Sequence, residues 1–382
     1  MKICILTLRY PTVTEPAALT FVQQLAWQMA DAGQEVEVVC PLPVSKIREY
    51  KDIPQVTIET TQDGNRVNVY HPRSVYLGQL WIGKWNTAYI STLLFRYAVD
   101  NIIRKMDVKP DILYGHFITP AGITACMLGG KYGIPSYVAY GESTPWTVDQ
   151  IGRARAKELL KSVSGIVSVS TANKEELVQT GVIEPEKVRV FPNGYRPNRF
   201  FPKNKSESRK KFDLPDNAFI VAFVGHFIMR KGIHILLEAV NQIDGVYMIC
   251  AGKGEISPAG DSVLFSGMVN PDDLADFYSA ADCFVLPTVN EGCCNAIIEA
   301  MACGLPIISS KQSFNDDILF DDNSIRIDPK SVQAVCEAIV RLKENEDLRM
   351  SMAQASIMHS CDLTLDKRTE KILRYFENEN RR

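Results

Sequence analysis

Residues 223–240, FVGHFIMRKGIHILLEAV, predict a strand ending at Gly225, a short loop carrying Arg230 and Lys231, and an amphipathic helix that opens at Gly232. Two cations beside the free amides of a helix N-terminus form a place for a diphosphate. An ordinary exposed basic turn would have the same sequence, so this stretch alone leaves both interpretations open. The succession of strand, loop and helix is typical of a parallel α/β sheet.

The same succession recurs in both halves of the chain. A helix over Leu19–Ala32 with Gly33 at its end follows the first strand, where a left-handed residue commonly stops a helix. Predicted strands of the first half are Ile3–Leu6, Val36–Cys40, Val67–Tyr70, Ile112–Tyr114, Ser136–Tyr140 and Ile166–Val169, and those of the second are Ile220–Gly225, Val246–Ala251, Val263–Ser266, Cys283–Pro287 and Pro306–Ser309. The fold class is therefore α/β, with two doubly wound Rossmann-like domains in tandem.

A linker is predicted at residues 191–202, FPNGYRPNRFFP, because three prolines and a glycine interrupt both helix and central strand. We divide the chain into an N-terminal domain at 1–195, a C-terminal domain at 196–362 and a last helical stretch at 363–382. Ligands of such sheets bind outside the carboxyl ends of the strands.

Composition narrows the class of protein. With 382 residues, 46% hydrophobic and 23% charged, the chain has the make-up of a folded two-domain protein. A net charge of −3 gives no general attraction to nucleic acid. No stretch approaches the roughly 20 apolar residues of a membrane-spanning helix. The ten cysteines lack zinc-site spacing, so free thiols in a reducing cytoplasm, and no metal site, are expected.

The second informative stretch is residues 290–308, NEGCCNAIIEAMACGLPII. Asn295 is expected to cap a helix over 296–303, with Glu291 in the turn before it and Glu299 in its first turn. The two carboxylates suit the hydroxyls of one ligand, and the turn amides of residues 292–295 suit its oxygens. The alternative is that Glu299 only complements the helix dipole and that Glu291 is solvated.

The third stretch is residues 113–122, LYGHFITPAG, where His116 follows a strand end and is predicted to lie at the functional edge of the sheet. Histidine is the side chain best suited to proton handling near neutral pH. A structural histidine remains the alternative.

Taken in order, YGHFITPAG, SVSTANKEEL, KVRVFPNGYRPNRFFP, FVGHFIMRKGIHILLEAV and FYSAADCFVLPTVNEGCCNAIIEAMACGLPII resemble the retaining glycosyltransferases of family 4. The resemblance covers roughly four fifths of the chain and includes the family's two glutamates separated by seven residues. It implies a GT-B fold, with the two domains facing across a cleft. It also implies a nucleotide-diphosphate sugar donor on the C-terminal domain, an acceptor on the N-terminal domain, no required metal or other cofactor, and a C-terminal helix that crosses back to the first domain.

The resemblance implies roles for particular residues. Lys231 matches the lysine at the donor diphosphate, Glu299 the glutamate at the nucleotide ribose, Glu291 the glutamate at the donor sugar, and His116 the histidine beside the transferred sugar. Arg230 is expected to share the phosphate charge. The predicted catalytic residues are His116, Glu291, Lys231 and Arg230, and the predicted donor-binding residues are Gly225, Arg230, Lys231, Cys293, Cys294, Asn295 and Glu299.

Two positions depart from the family pattern. His226 stands where the first basic residue after the glycine is usual, and Arg230 where an acidic residue is frequent. The glycine pair of the first loop is missing from RYPTVTEPAALTF, which leaves Thr20 as the nearest candidate for a diphosphate contact there.

The function expected from the sequence is retaining transfer of a hexosyl unit to a glycan or lipid-linked acceptor, in bacterial surface polysaccharide assembly. Two rivals stay open, because a fold does not fix chemistry. One is a sugar-nucleotide epimerase or hydrolase, and the other is a non-catalytic sugar-nucleotide-binding partner.

Residues 73–105 are unusually aromatic and end in basic residues, and Trp81 and Trp85 would suit a lipid interface. This stretch predicts peripheral contact with the cytoplasmic face of the membrane. An ordinary buried helix is the alternative.

Overall fold

The computed structural model describes residues 1–46, 48–78, 80–83, 85–142 and 144–380. The chain forms two compact units, one of Met1–Phe191 with Thr369–Arg382 and the other of Pro192–Arg368. The sequence placed the boundaries after residues 195 and 362. The first change of unit instead falls before Pro192, at the start of the proline-rich segment, and the second falls inside the last helix.

The first unit is built from short strands and helices in alternation. Its strands are β1 Lys2–Leu6, β2 Glu35–Val39, β3 Leu42–Pro43, β4 Val56–Thr60, β5 Arg66–Tyr70, β6 Arg73–Ser74, β7 Trp81–Ile82, β8 Trp85–Asn86, β9 Ile112–His116, β10 Ser136–Tyr140, β11 Gly165–Ser168 and β12 Val188–Val190. Its helices are α1 Thr20–Asp31, α2 Ala88–Lys105, α3 Ile123–Tyr132, α4 Trp146–Ile151, α5 Arg153–Leu160 and α6 Thr171–Gln179.

Eight of these strands form one sheet in the order β12-β11-β10-β9-β1-β2-β5-β4. Ile3 pairs with Val36 on one side and with Ile112 on the other, so β1 lies inside the sheet. The apolar run Ile3–Leu6 is fully buried, as a strand covered on both faces requires. β4 is antiparallel to β5 and forms one edge.

The second unit repeats this arrangement. Its elements are α7 Lys205–Lys211, β13 Phe219–Val224, α8 Ile233–Val240, β14 Val246–Ala251, β15 Val263–Gly267, α9 Leu274–Ser279, β16 Cys283–Leu286, α10 Asn295–Ala302, β17 Ile307–Ser310, β18 Ser324–Ile327, α11 Val332–Glu344 and α12 Glu346–Ser360. Its sheet has the order β15-β14-β13-β16-β17-β18, and all its pairings are parallel. Two doubly wound α/β units are therefore present, as predicted.

The last helix, α13 Leu365–Asn380, completes the core of the first unit. Phe376 is fully buried against the rings of Tyr114 and Tyr137. The Tyr137 hydroxyl donates to the carbonyl of Phe376 at 3.2 Å, and the Tyr375 hydroxyl donates to that of Lys187 at 3.0 Å. The stretch that the sequence left over after the second domain thus belongs to the first.

Residues 73–105 contain the long helix α2, whose inner face is buried, and several exposed apolar residues before it. Leu80 and Trp81 are 64% and 61% exposed, whereas the side chain of Trp85 lies outside the described residues. Among the described residues, no helix is both long and apolar enough to cross a bilayer.

Candidate functional site

The loops after β13 and β16 lie side by side, because these two strands are neighbours in the second sheet. The strand order reverses at β13, which has β14 on its other side. In doubly wound sheets a ligand crevice forms at such a reversal, outside the carboxyl ends of the strands. The loop of residues 225–232 and the loop of residues 287–294 therefore occupy the position expected of a binding site.

Glu291 is the centre of an ion cluster between these loops. Its Oε1 accepts from Lys231 Nζ at 2.6 Å, from Arg230 Nη1 at 2.9 Å and from Thr288 Oγ1 at 3.0 Å. The Lys231 and Glu291 side chains are only 11% and 13% exposed, whereas that of Arg230 is 39% exposed. Two cations on one carboxylate leave a net charge of +1, which suits an incoming anion.

Gly232 makes the close approach of the two loops sterically possible. It has φ 73°, in the left-handed region, and a Cβ there would lie 2.1 Å from the carbonyl oxygen of Pro287. Only glycine satisfies both conditions without displacing the backbone. The amide of Val289 also donates to the Arg230 carbonyl at 3.0 Å, so the loop carrying Lys231 is fastened to the one carrying Glu291.

Gly225 directly follows β13 and has φ 155°. Its amide donates to the Ala251 carbonyl at 3.0 Å, and its own carbonyl would lie 1.9 Å from a Cβ at Gly252. The backbone after β13 thus packs directly on the backbone after β14. His226, next in the loop, is exposed.

Glu299 lies on α10, in the helix that follows the Glu291 loop. The Tyr278 hydroxyl donates to its Oε2 at 3.0 Å. Burial raises the pKa of the Glu299 carboxyl to about 7, although the hydrogen bond from Tyr278 and the charge of Arg199 act in the opposite direction. The helix begins at Asn295, so Glu299 does not lie in the first turn as expected, and a role confined to the helix dipole is correspondingly weaker.

The turn before α10 also differs from the prediction. The N-cap is Cys294 and not Asn295, and the cap residue's side chain makes no capping hydrogen bond. Asn295 Oδ1 instead accepts from Asn193 Nδ2 at 2.8 Å, and the same amide group donates to the Cys293 carbonyl at 3.2 Å. Burial raises the pKa of the Cys293 thiol to about 12 and also raises that of the Cys294 thiol, which disfavours the reactive thiolate at both positions.

In the first unit, His116 is the last residue of β9 and is 4% exposed. Its ring lies 4.9 Å from that of Tyr114 and 6.3 Å from that of Phe21, measured between centroids. Phe21 belongs to the first turn of α1, which begins at the exposed Thr20. The carboxyl-terminal edge of the sheet at His116 and the start of α1 are therefore close together.

A cavity of about 310 Å³ lies in the same unit, at the carboxyl ends of β1 and β2. Aromatic and apolar side chains dominate its lining, among them Tyr10, Tyr50, Tyr76 and Phe95. Arg9 and Lys46 also line it, and both pair with Glu15, at 3.0 and 3.6 Å. Its volume is at the lower end of the range for small-molecule sites.

The described residues bring together Arg230, Lys231 and Glu291, with Glu299 on the helix that follows. His116 and Thr20 belong to the other unit. Sequence reasoning missed Thr288, Tyr278 and Asn193, which position Glu291, Glu299 and Asn295. No group of three or more His, Cys, Asp or Glu side chains among the described residues is arranged to hold a metal ion. The individual roles of the site residues remain predictions.

Comparisons with known proteins agree on one family. Residues 18–199 match the model "Glycosyltransferase Family 4", and residues 204–358 match "Glycosyl transferases group 1". The teichuronic acid biosynthesis glycosyltransferase TuaC of Bacillus subtilis is 27% identical over 368 residues, which cover 91% of this chain and 90% of TuaC.

Two solved structures share the fold. Sucrose-phosphate synthase from Thermosynechococcus elongatus superposes with a TM-score of 0.78, at 20% identity, over 99% of each chain. Anabaena HepE in complex with UDP superposes with a TM-score of 0.75, at 17% identity, over 99% of this chain and 100% of HepE. Both halves of the chain thus match glycosyltransferase families, on a fold shared with glycosyltransferases throughout its length. The chain belongs to the GT-B glycosyltransferases of family 4 and is an enzyme of that class.

Proposed function

We propose that this enzyme transfers a hexosyl unit from a nucleotide-diphosphate sugar to a glycan or lipid-linked acceptor, with retention of configuration at the anomeric carbon. The observation that carries the proposal is the cluster of Lys231, Arg230 and Glu291 at the strand reversal of the second unit, followed by Glu299 on α10. TuaC is named for teichuronic acid biosynthesis, and HepE was solved with UDP and with UDP-glucose. These names support a nucleotide-sugar donor and a role in bacterial surface polysaccharide assembly.

Each end of the donor has a group of suitable chemistry. The diphosphate would lie against Lys231 and Arg230, which carry one charge more than Glu291 neutralises. The turn of Cys293, Cys294 and Asn295 would offer backbone amides to the same phosphates, and Gly225 would give the donor room beside the first loop. Glu299 would accept from the ribose hydroxyls, and Glu291 from hydroxyls of the sugar.

The transfer step is a front-face substitution. The bond from the anomeric carbon to the diphosphate oxygen breaks as the acceptor oxygen bonds to the same face, and the acceptor proton passes to the departing phosphate oxygen. Lys231 and Arg230 stabilise the negative charge that grows on the leaving group, which is the type of interaction that lowers a barrier most. Glu291 and His116 would fix the sugar ring, and no metal or further cofactor enters the step.

The acceptor is assigned to the first unit. The aromatic cavity beside β1 and β2 offers apolar walls together with the paired charges of Arg9, Glu15 and Lys46. The exposed Leu80 and Trp81 would give this unit a peripheral contact with the cytoplasmic membrane surface, where a lipid-linked acceptor resides.

The test is thermal stabilisation by nucleoside diphosphates, because a ligand that binds only the folded protein raises its melting temperature. UDP, GDP, ADP, CDP and dTDP are added separately to the wild type, to Lys231→Ala and to Lys210→Ala, a control that removes an exposed lysine of α7. We expect one diphosphate to stabilise the wild type and the control, and to stabilise Lys231→Ala much less. If none shifts the wild type, or if Lys231→Ala responds fully, the donor site is wrong. The anomeric configuration of the product, read by NMR, then tests retention.

A further inference from the structure

The backbone turns sharply at the end of β9, directly after His116. Phe117 has φ 69° and ψ 160°, a combination that belongs almost entirely to glycine. A phenylalanine in this region is strained, so the surrounding contacts must hold it in place. The corner of residues 116–118 therefore depends on what its amides bind.

The backbone amides of Phe117 and Ile118 both donate hydrogen bonds that hold the corner. The Phe117 amide donates to the Ala139 carbonyl at 2.9 Å, as part of the sheet edge. The Ile118 amide donates to a side chain, the Oε1 of Glu142, at 3.3 Å. The first bond continues the pairing of β9 with β10, whereas the second exists only because a carboxylate reaches across from the segment after β10.

Glu142 is itself fixed by two other elements. Its Oε1 also accepts from the Thr147 hydroxyl of α4 at 3.2 Å. Its main-chain carbonyl accepts from the side-chain amide of Asn173, in α6, at 2.7 Å. The carboxylate is thus a rigid support, since both its backbone and its side chain are anchored.

Burial of the Glu142 carboxyl lowers the stability of the folded protein. Glu142 is 8% exposed, and burial raises the pKa of its carboxyl to about 7, although the bonds from Ile118 and Thr147 oppose the shift. Its Oε2 is buried with no hydrogen-bond partner among the described residues. The buried Asp282 of the other unit, in contrast, pairs with Arg209 at 2.9 Å. A buried carboxyl without a cation is destabilising, and such groups are concentrated at functional sites.

We propose that Glu142 is a positioning residue, whose Oε1 holds the Ile118 amide and thereby fixes the direction of the His116 side chain at the end of β9. Glu142 acts through the backbone of the corner and does not touch the substrate. Its importance for turnover rests on the role proposed above for His116, but its effect on the His116 ring does not.

The first measurement needs no substrate. The protein is labelled with ¹³C-histidine, and the ring resonance of His116 is identified by its loss in His116→Ala. We expect Glu142→Ala and Glu142→Asp to displace this resonance, since neither side chain keeps the acceptor at its present reach. Glu142→Gln, which retains an oxygen at that distance, should leave it near its wild-type position.

The matched control is Asp100→Ala, which removes another buried carboxylate of the same unit. Asp100 accepts from Lys131 at 2.7 Å and from the Tyr132 hydroxyl at 2.6 Å, and it anchors α3 instead of the corner. The Asp100→Ala substitution should lower the stability of the protein and leave the His116 resonance in place. An equal displacement in Asp100→Ala would mean that any loss of stability moves His116, and the proposal would be overturned.

Turnover supplies the second measurement, with the donor identified by the nucleotide panel. We expect Glu142→Asp and Glu142→Ala to lower kcat about 10- to 100-fold, as a small misplacement of a substrate-positioning group does, with the donor KM within about twofold of the wild type. Glu142→Gln should restore most of kcat. The proposal fails if Glu142→Asp keeps both the resonance and kcat of the wild type, or if Glu142→Gln is as slow as Glu142→Ala with the resonance unmoved. If the wild type turns over no nucleotide sugar, the proposed function fails, and the resonance still decides the role of Glu142.

Discussion

Replacement of Glu299 by glutamine should change the stability and the nucleotide affinity of the enzyme in opposite directions. The carboxyl is half-buried, accepts from the Tyr278 hydroxyl and has its pKa raised to about 7 by burial. In the unfolded chain the pKa is the ordinary 4.5. Glutamine keeps an oxygen for Tyr278 and carries no charge, so it removes the cost of burying the ionised form.

The sign and size follow from proton linkage. Because the folded-state pKa lies above the unfolded one, the wild type loses stability as the pH rises from about 4.5 through 7. A difference of one pH unit between the folded and unfolded pKa corresponds to about 1.4 kcal/mol, so the full cost of ionised Glu299 is about 3 kcal/mol. The advantage of Glu299→Gln in the free energy of unfolding should grow by about 2 to 3 kcal/mol between pH 5 and pH 8.

The assay is urea unfolding at pH 5, 6, 7 and 8, with Glu344→Gln, an exposed glutamate of α11, as the control. Titration with the nucleoside diphosphate that stabilises the wild type is done beside it at pH 8. We expect Glu299→Gln to be the more stable protein and to bind the nucleotide at least about tenfold more weakly, since the ribose hydroxyls lose a charged acceptor. A stability difference that is flat with pH would refute the buried-charge argument. Unchanged affinity would refute the ribose role.

Three further predictions concern the predicted catalytic residues and the membrane contact. Lys231→Ala should lower kcat by about 100-fold or more with a smaller change in KM, and Arg230→Ala should act in the same direction but less strongly; a Lys231→Ala enzyme that changes only KM would contradict the leaving-group role. His116→Ala should keep nucleotide affinity, measured by titration of a protein whose fold is verified by circular dichroism, but lose turnover; an equal loss of both would place His116 elsewhere. Wild-type protein should float with anionic liposomes at low salt and Trp81→Ala should float less, whereas no binding by the wild type would exclude the lipid interface.

The clustering of the charged residues at the candidate site was predictable because these residues follow strand ends. Lys231 and Glu291 are far apart in sequence, but the regular alternation of strands and helices places both loops at one edge of a parallel sheet, and β13 and β16 are neighbours there. The periodicity of the sequence thus predicted the fold, and the fold predicted that the loops carrying Lys231 and Glu291 lie close together. The cleft between the two domains is expected only from the family resemblance. The sequence pattern within either half does not predict it.

The structural features that the sequence did not predict depend on contacts between distant residues. Asn295 is a residue type that commonly caps helices, but its side chain accepts from Asn193 instead. The sequence around Asn295 gives no sign of this distant partner. The hydrogen bond from Tyr278 to Glu299 could likewise not be predicted from the local sequence. The edge strand β4 was also missed, because its apolar Val56 and Ile58 are exposed while Glu59 accepts from three side chains, which reverses the usual alternation.

The path of α13 has a consequence for the order in which the protein matures. The first unit needs Phe376 and Tyr375 to close its core, so it cannot be completed until nearly the whole chain has left the ribosome. The second unit is continuous from Pro192 to Arg368 and needs no residue beyond Arg368. Although domains usually fold in the order of synthesis, here the half made later can finish earlier. A chain truncated before residue 369 would therefore leave the aromatic surface around Tyr114 and Tyr137 exposed to chaperones, while its second unit could fold.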